Sequence, residues 1–171
     1  PTLTDEAIET IMTLATNRGP IALRFVDWAW DQMYQKKGDA AIKTALRAAD
    51  GAIFMFSYAD PDSFKSLNFR FNEFEAEAKK QATEPKFVLL GNKKDAQHKR
   101  WNHDSDVQTL TKKRQATFAA ISAYTEDGIN DAVSMLLKRL LAVNDDVRVD
   151  EVSKGLSDAF CQQVAAVKKA T

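Results

Sequence analysis

Five consecutive residues, Gly91-Asn92-Lys93-Lys94-Asp95, place an amide, two ammonium groups and a carboxylate directly after a short apolar run. Some 27 positions beyond Asp95, Ser122-Ala123-Tyr124 follows another such run. Read one at a time, the first is a polar turn and the second a strand end. An ionised carboxylate, however, accepts two hydrogen bonds side by side, and so selects ligands that present a matched pair of N–H groups. Asp27-Trp28-Ala29-Trp30-Asp31 is the other unusual word. Alternate residues of an extended segment project to one side, and two indoles so placed either anchor a partner protein or fill space within the domain. His98 and His103 flank Lys99-Arg100-Trp101 without a cluster of carboxylates or cysteines, so a solvated loop is preferred to a metal or phosphate site. Cys161 has no base near it in sequence and is read as packing or surface. Lys112-Lys113-Arg114 is read as a solvated basic face.

The elements that must hold these residues follow from periodicity. Thr16-Asn17-Arg18-Gly19-Pro20 is a turn signal before Ile21-Ala22-Leu23-Arg24-Phe25-Val26, so a hairpin is predicted whose second strand ends at Asp27. Its first arm fits two patterns, a capped helix from Thr4 or a strand through Ile8, Met12 and Leu14, and the strand is preferred. A helix is predicted over Ala40 to Ala49. After it, Ala52 to Tyr58 is apolar enough for a strand buried on both faces. Asp60-Pro61-Asp62-Ser63 turns the chain into a helix from about Ser63 to Gln81, with Phe64, Leu67, Phe71, Phe74 and Ala78 on one side. Strands at Phe87 to Leu90 and Thr117 to Ile121, with a polar stretch between them, precede an amphipathic helix over Gly128 to Val143 and another over Val152 to Lys169. Strands alternating with helices argue for a mostly parallel α/β sheet with helices on both faces.

Composition narrows the classes. The 171 residues, 44% hydrophobic and 28% charged, suit one globular core. Twenty-four Lys and Arg balance 24 Asp and Glu, leaving no net charge to attract nucleic acid. A single cysteine excludes an intrachain disulfide framework and fits a reducing, intracellular setting. No apolar run reaches the ~20 residues of a membrane-spanning helix, and the final residues, Lys168-Lys169-Ala170-Thr171, lead to the expectation of no prenyl anchor and a soluble protein.

The ordered pair Asn92-Lys93-Lys94-Asp95 and Ser122-Ala123, each after a buried strand, resembles the two guanine-recognition motifs of the Ras superfamily. The resemblance implies a P-loop NTPase (Ras-like) fold over residues 1–145, followed by a helical extension over 146–171. It also implies roles: Asp95 reads the base, Asn92 ties loops together and contacts it, Lys93 lies along its face, and Ser122-Ala123 meets its carbonyl through backbone N–H groups. Pro1-Thr2-Leu3 and Thr16 to Ile21 are similar to the switch I threonine and hairpin turn of Ran, with Rab-like members also in view, and Thr2 then corresponds to the magnesium-ligating threonine. GTP or GDP with Mg2+ would be the family's cofactors, and cytoplasm or nucleus its compartments.

Three departures qualify that expectation. No GxxxxGK[ST] occurs in these residues, which removes the phosphate cradle, its lysine and the hydroxyl that holds magnesium. The switch II word Asp-x-x-Gly-Gln reads Asp27-Trp28-Ala29-Trp30-Asp31, with an indole where a glycine approaches the γ-phosphate and a carboxylate where the water-orienting glutamine belongs. Ser57 stands where many relatives have aspartate, a minor change. GTP hydrolysis is therefore expected to be impaired, no residue is assigned a catalytic role, and protein binding through the switch II face is the expected mode of action. Because the phosphate-loop strand is central in this family, its absence should split the sheet unless another segment or chain supplies it, since each buried unpaired backbone group costs about 1–3 kcal/mol.

Overall fold

The computed structural model describes residues 8–17, 19–27, 40–80, 86–96, 104–141 and 149–151. They fall into two units, residues 1–45 with 148–171, and residues 46–147.

In the first unit, alternation of small, β-branched and apolar residues produces strand β1 (Ile8–Thr16), which pairs antiparallel with β2 (Ile21–Asp27) from Ile8 opposite Asp27 to Leu14 opposite Ile21. The strand preference for this arm holds. Leu14 and Thr16 are buried while Glu9, Ile11, Thr13 and Ala15 are exposed, the period of two that a half-solvated antiparallel sheet requires. The turn between the strands needs its glycine: Gly19 has φ +99°, its N–H donates to Thr16 O at 2.9 Å, and Thr16 Oγ1 donates to Gly19 O at 2.7 Å. A three-residue strand, β6 (Val149–Glu151), lies along the other edge of β1, so this sheet has the order β2-β1-β6.

Helix α1 (Ala40–Ala48) crosses the division between the units. The second unit is built on β3 (Gly51–Ser57), β4 (Lys86–Asn92) and β5 (Thr117–Ala120), parallel throughout and ordered β3-β4-β5. Central β4 is buried from Phe87 to Asn92 because helices cover the sheet, which is why its sequence is continuously apolar rather than alternating. The strand expected over Phe87 to Leu90 thus runs from Lys86 to Asn92, placing that amide at its carboxyl end. Among the described residues no strand borders the far edge of β3, and the strands form two three-stranded sheets.

The helix expected over Ser63 to Gln81 is two helices, α2 (Pro61–Lys65) and α3 (Leu67–Ala78), meeting at Ser66. Asp60 caps the first through Asp62 N–H at 3.0 Å. Ser63 Oγ accepts from Ser57 N–H at 2.9 Å, fixing this short helix to the end of β3, while Ser66 Oγ bonds back to Ser63 O at 2.9 Å. Such local hydroxyl bonds compete with the helical ladder and bend it where they occur.

A helix not foreseen, α4 (Asp104–Arg114), occupies much of the polar stretch. Val107, Leu110 and Arg114 form its buried stripe, with Asp104 and Asp106 in the first turn and Lys112 to Arg114 in the last, both favourable to the helix dipole. Helices α3 and α4 bury one face of the sheet through Phe54, Phe56, Tyr58, Phe71, Phe74, Phe87 and Leu89; the Phe54 and Phe71 rings stack with centroids 3.8 Å apart. Helix α5 (Ile129–Leu140) packs on β4 and β5 through Ile129, Val133, Leu136 and Leu137. Val88 and Leu90 alternate with Phe87 and Leu89 and so face the opposite side of β4.

One expectation is corrected here. Lys112 and Lys113 are exposed, but Arg114 is buried: Nη1 donates to Glu75 Oε2 at 2.9 Å, Nη2 to Asn72 Oδ1 at 2.6 Å, and its guanidinium carbon lies 5.4 Å from the Phe71 ring centroid. The basic word therefore divides by helical phase, with two residues facing solvent and one tying α4 to α3.

Candidate functional site

The carboxyl ends of β4 and β5 bring together the two words that the sequence keeps 27 residues apart. Parallel strands end side by side, so loops that leave them from the same edge become neighbours, the usual place for ligands in open α/β sheets. Ile121 N–H donates to Gly91 O at 2.8 Å and Lys94 N–H to Ile121 O at 3.1 Å, joining the two exits by backbone alone.

Asn92 is the hub. Its Oδ1 accepts from Lys93 N–H at 2.7 Å and from Ala123 N–H at 3.0 Å, while its own carbonyl accepts from Tyr58 N–H at 2.9 Å at the end of β3. Asn92 thus links all three strand ends, its side chain tying β4 to the loop after β5 and its carbonyl meeting the end of β3. Lys93 adopts φ +63°, which turns the chain sharply after Asn92 and brings Asp95 back towards the second loop. There Ser122 Oγ donates to Asp95 Oδ1 at 2.5 Å and accepts from Thr125 N–H at 3.1 Å. Asp95 itself is exposed, so its carboxylate is oriented by Ser122 yet open to a ligand.

Two residues that sequence reasoning did not single out brace this site. Lys94 Nζ lies 2.6 Å from Asp127 Oδ2, and Asp127 O accepts from Ser122 N–H at 2.9 Å. Sequence could not pair Lys94 with Asp127, because only the adjacency of the two strand ends makes them neighbours. One expected contact takes a different form: Ala123 N–H, assigned by resemblance to the base carbonyl, is directed at Asn92 Oδ1. Gly91 is also required by shape, since a Cβ there would come within 2.7 Å of Tyr58 Cε2 and 2.9 Å of Phe56 Cζ.

The switch-like residues divide differently. Asp27 ends β2 with its side chain reaching solvent, and partial desolvation holds its carboxyl above the ordinary carboxylate range. Thr2, Trp28, Trp30 and Asp31 lie outside the described residues, as do His98, His103, Cys161 and the helix expected over Val152 to Lys169. Among the described residues no group of three or more His, Cys, Asp or Glu side chains is placed to hold a metal ion, and no helix is long and apolar enough to cross a membrane.

A model of the Ras family matches residues 1–142, and the chain belongs to that family. It is 25% identical over 112 residues to Ras-related protein Rab-7b of Mus musculus, a match covering 66% of this chain and 56% of that protein. It is 28% identical over 112 residues to Ras-related protein Rab-27B of Bos taurus, covering 66% and 50% respectively. A human protein, EF-hand calcium-binding domain-containing protein 4B, is 26% identical over 145 residues, covering 85% of this chain but 19% of its own length. The chain thus spans about half the length of the two Rab relatives. The parallel three-stranded sheet flanked by helices is that of the family's P-loop GTPase fold. Ras-family domains in general bind GTP or GDP with Mg2+. At this site the Asp95 carboxylate is exposed and oriented by Ser122, while the N–H groups of Ser122 and Ala123 are engaged by Asp127 O and Asn92 Oδ1.

Proposed function

We propose that this Ras-family domain recognises guanine through Asp95, Asn92, Lys93 and the Ser122-Ala123 loop, is impaired in GTP hydrolysis, and acts as a protein-binding scaffold or complex subunit. The observation that carries the proposal is the set of hydrogen bonds joining Asp95 to Ser122 and Asn92 to Ala123, which holds an exposed carboxylate on a braced loop. The altered word Asp27-Trp28-Ala29-Trp30-Asp31 supports loss of hydrolysis, and its two indoles supply the anchor for a partner protein. The hairpin words Thr16 to Ile21 favour a Ran-like branch.

Calorimetric titration with GDP and with a non-hydrolysable GTP analogue, with and without magnesium, tests the reading. The expected result is guanine-selective binding that Asp95→Ala abolishes, with no phosphate release from GTP. Binding unchanged in Asp95→Ala would reject the guanine site.

A second reading is an active GTP-binding Ran- or Rab-like protein of intracellular or nucleocytoplasmic transport, whose phosphate loop lies outside these 171 residues. It is favoured by the half-length coverage of the Rab relatives and by the edge of β3, along which no described strand runs, so that a further parallel strand would find room there. Tight magnesium-dependent binding with turnover is its expected signature. Either reading places the protein inside the cell, in cytoplasm or nucleus, with proteins rather than nucleic acid as partners.

A further inference from the structure

The chain is neutral as a whole, yet the second unit sorts its charges by end. Helices that connect parallel strands run back against them, so helix starts gather at the carboxyl end of the sheet and helix ends at its amino end. At the carboxyl end, Asp60, Asp62, Asp104, Asp106 and Asp131 stand in helix caps or first turns. Lysines there are neutralised: Lys65 pairs with Asp62 at 2.7 Å and Lys94 with Asp127 at 2.6 Å. The amino end is the reverse. Arg139 donates to Thr117 Oγ1 at 3.0 Å and to Gln115 O, which ties the end of α5 to the end of α4 and the start of β5. Lys86 N–H donates to Asp50 O at 3.1 Å, and a Cβ on Gly51 would meet Leu140 Cδ2 and Lys86 O at 2.9 Å, so the same helix end abuts the starts of β3 and β4. This end carries Lys79, Lys86, Lys112, Lys113 and Lys138, whose ammonium groups have no ion-pair or hydrogen-bond partner among the described residues. Helix dipoles favour cations in the last turns of α4 and α5, but Lys86 opens a strand, where no dipole calls for one.

We infer that this end of the second unit is a docking surface for an acidic segment of a partner protein. Its lysines come from the helix layers on both sides of the sheet, a span of about 20 Å, which suits an extended run of carboxylates. Leu141, 41% exposed at the end of α5, adds an apolar contact among them. The chemistry favours carboxylates over phosphates. Guanidinium groups grip phosphate with two parallel bonds, whereas ammonium groups act as point charges. At this end Arg47, Arg114 and Arg139 are committed to Glu77, to Glu75 and Asn72, and to Thr117 and Gln115, which leaves ammonium groups facing solvent. The seven residues of β4 from Lys86 to Asn92 set this surface about 20 Å from the Asn92 hub. A partner docked there leaves the words at the carboxyl end open, whether or not they hold guanine.

The test titrates the 171-residue chain into a fluorescent oligoglutamate peptide at low salt and reads anisotropy. Wild type should bind, and binding should weaken steeply as salt is added. Lys112→Gln combined with Lys113→Gln should weaken binding about fivefold with an unchanged melting temperature, since both side chains are exposed. Lys65→Gln, which removes a paired lysine at the opposite end, should stay within about 1.5-fold of wild type. No binding at low salt, binding that salt leaves unchanged, or a loss in Lys65→Gln equal to that in the double variant would overturn the assignment. Competition by GDP would move the peptide to the carboxyl end and overturn it too. Phosphatidylserine vesicles or duplex DNA that bind more tightly than the peptide, and lose that binding in the double variant, would give the surface to phosphate and overturn the acidic-protein partner.

Discussion

The hairpin of the first unit and the strand ends of the second are both made of short β segments ending in aspartate-bearing words, yet they are secured in different ways. At the β4 and β5 exits, buried groups bond to backbone: Asn92 Oδ1 to two N–H groups, Ser122 Oγ to Thr125 N–H, Ile121 N–H to Gly91 O. On the hairpin, the face carrying Glu9, Ile11, Arg24 and Val26 is exposed, and its polar contact is the Arg24–Glu9 pair at 2.8 Å, whose side chains are 66% and 44% exposed. Side-chain-to-backbone bonds in a desolvated setting resist rearrangement, whereas an exposed ion pair is screened and contributes little. The strand ends of the second unit are therefore braced from within, and the hairpin face of the first is held by a screened surface contact.

Substitutions should reproduce that contrast in stability. The largest effect is expected at Arg114→Ala, which leaves Glu75 and Asn72 without their buried partner and should cost about 3 kcal/mol in denaturant unfolding. Next, Asn92→Ala strips the acceptor from Lys93 N–H and Ala123 N–H. About 2 kcal/mol of stability should go with it, and amide exchange of Ala123 should quicken, while exchange in β1 is unaffected. Equal quickening in both regions would erase the distinction between them.

A smaller and pH-dependent effect is expected at Glu77. The hydrogen bond from Lys80 and then that from Arg47 hold its carboxyl below the ordinary range. A depressed folded-state value means the stabilisation is present above the unfolded carboxylate pKa and is lost as pH falls through the folded one. Glu77→Gln should therefore narrow the gap to wild type in melting scans on acidification, and a gap constant from neutral to acid pH would refute the linkage. The smallest effect is expected at the hairpin pair, where a double-mutant cycle on Glu9→Gln and Arg24→Gln should give a coupling of about 0.2–1 kcal/mol that salt removes.

How much of this was legible in the sequence depended on which signal each element carried. The hairpin, β3 and β4 announced themselves through alternation or continuous apolarity, and the site words stood at strand ends where chain topology alone would gather them. Helix α4 was missed because its buried stripe is narrow, with two aliphatic residues and an arginine, among exposed polar residues; its acidic first turn and basic last turn were the usable signal. The break at Ser66 was hidden because Phe64, Leu67, Phe71 and Phe74 keep helical spacing across it, and only the hydroxyl bonds of Ser63 and Ser66 explain it. Guanine-type residues could be picked out, but the bond from Ala123 N–H to Asn92 could not, since it depends on the register of β4 against β5.

The phenylalanine-rich packing of the second unit has a consequence for how its folding is observed. Its interior aromatics are Phe54, Phe56, Phe71, Phe74, Phe87 and Tyr58, while all three tryptophans, Trp28, Trp30 and Trp101, lie elsewhere in the sequence. Near-ultraviolet circular dichroism in the phenylalanine band thus reports loss of this core's packing.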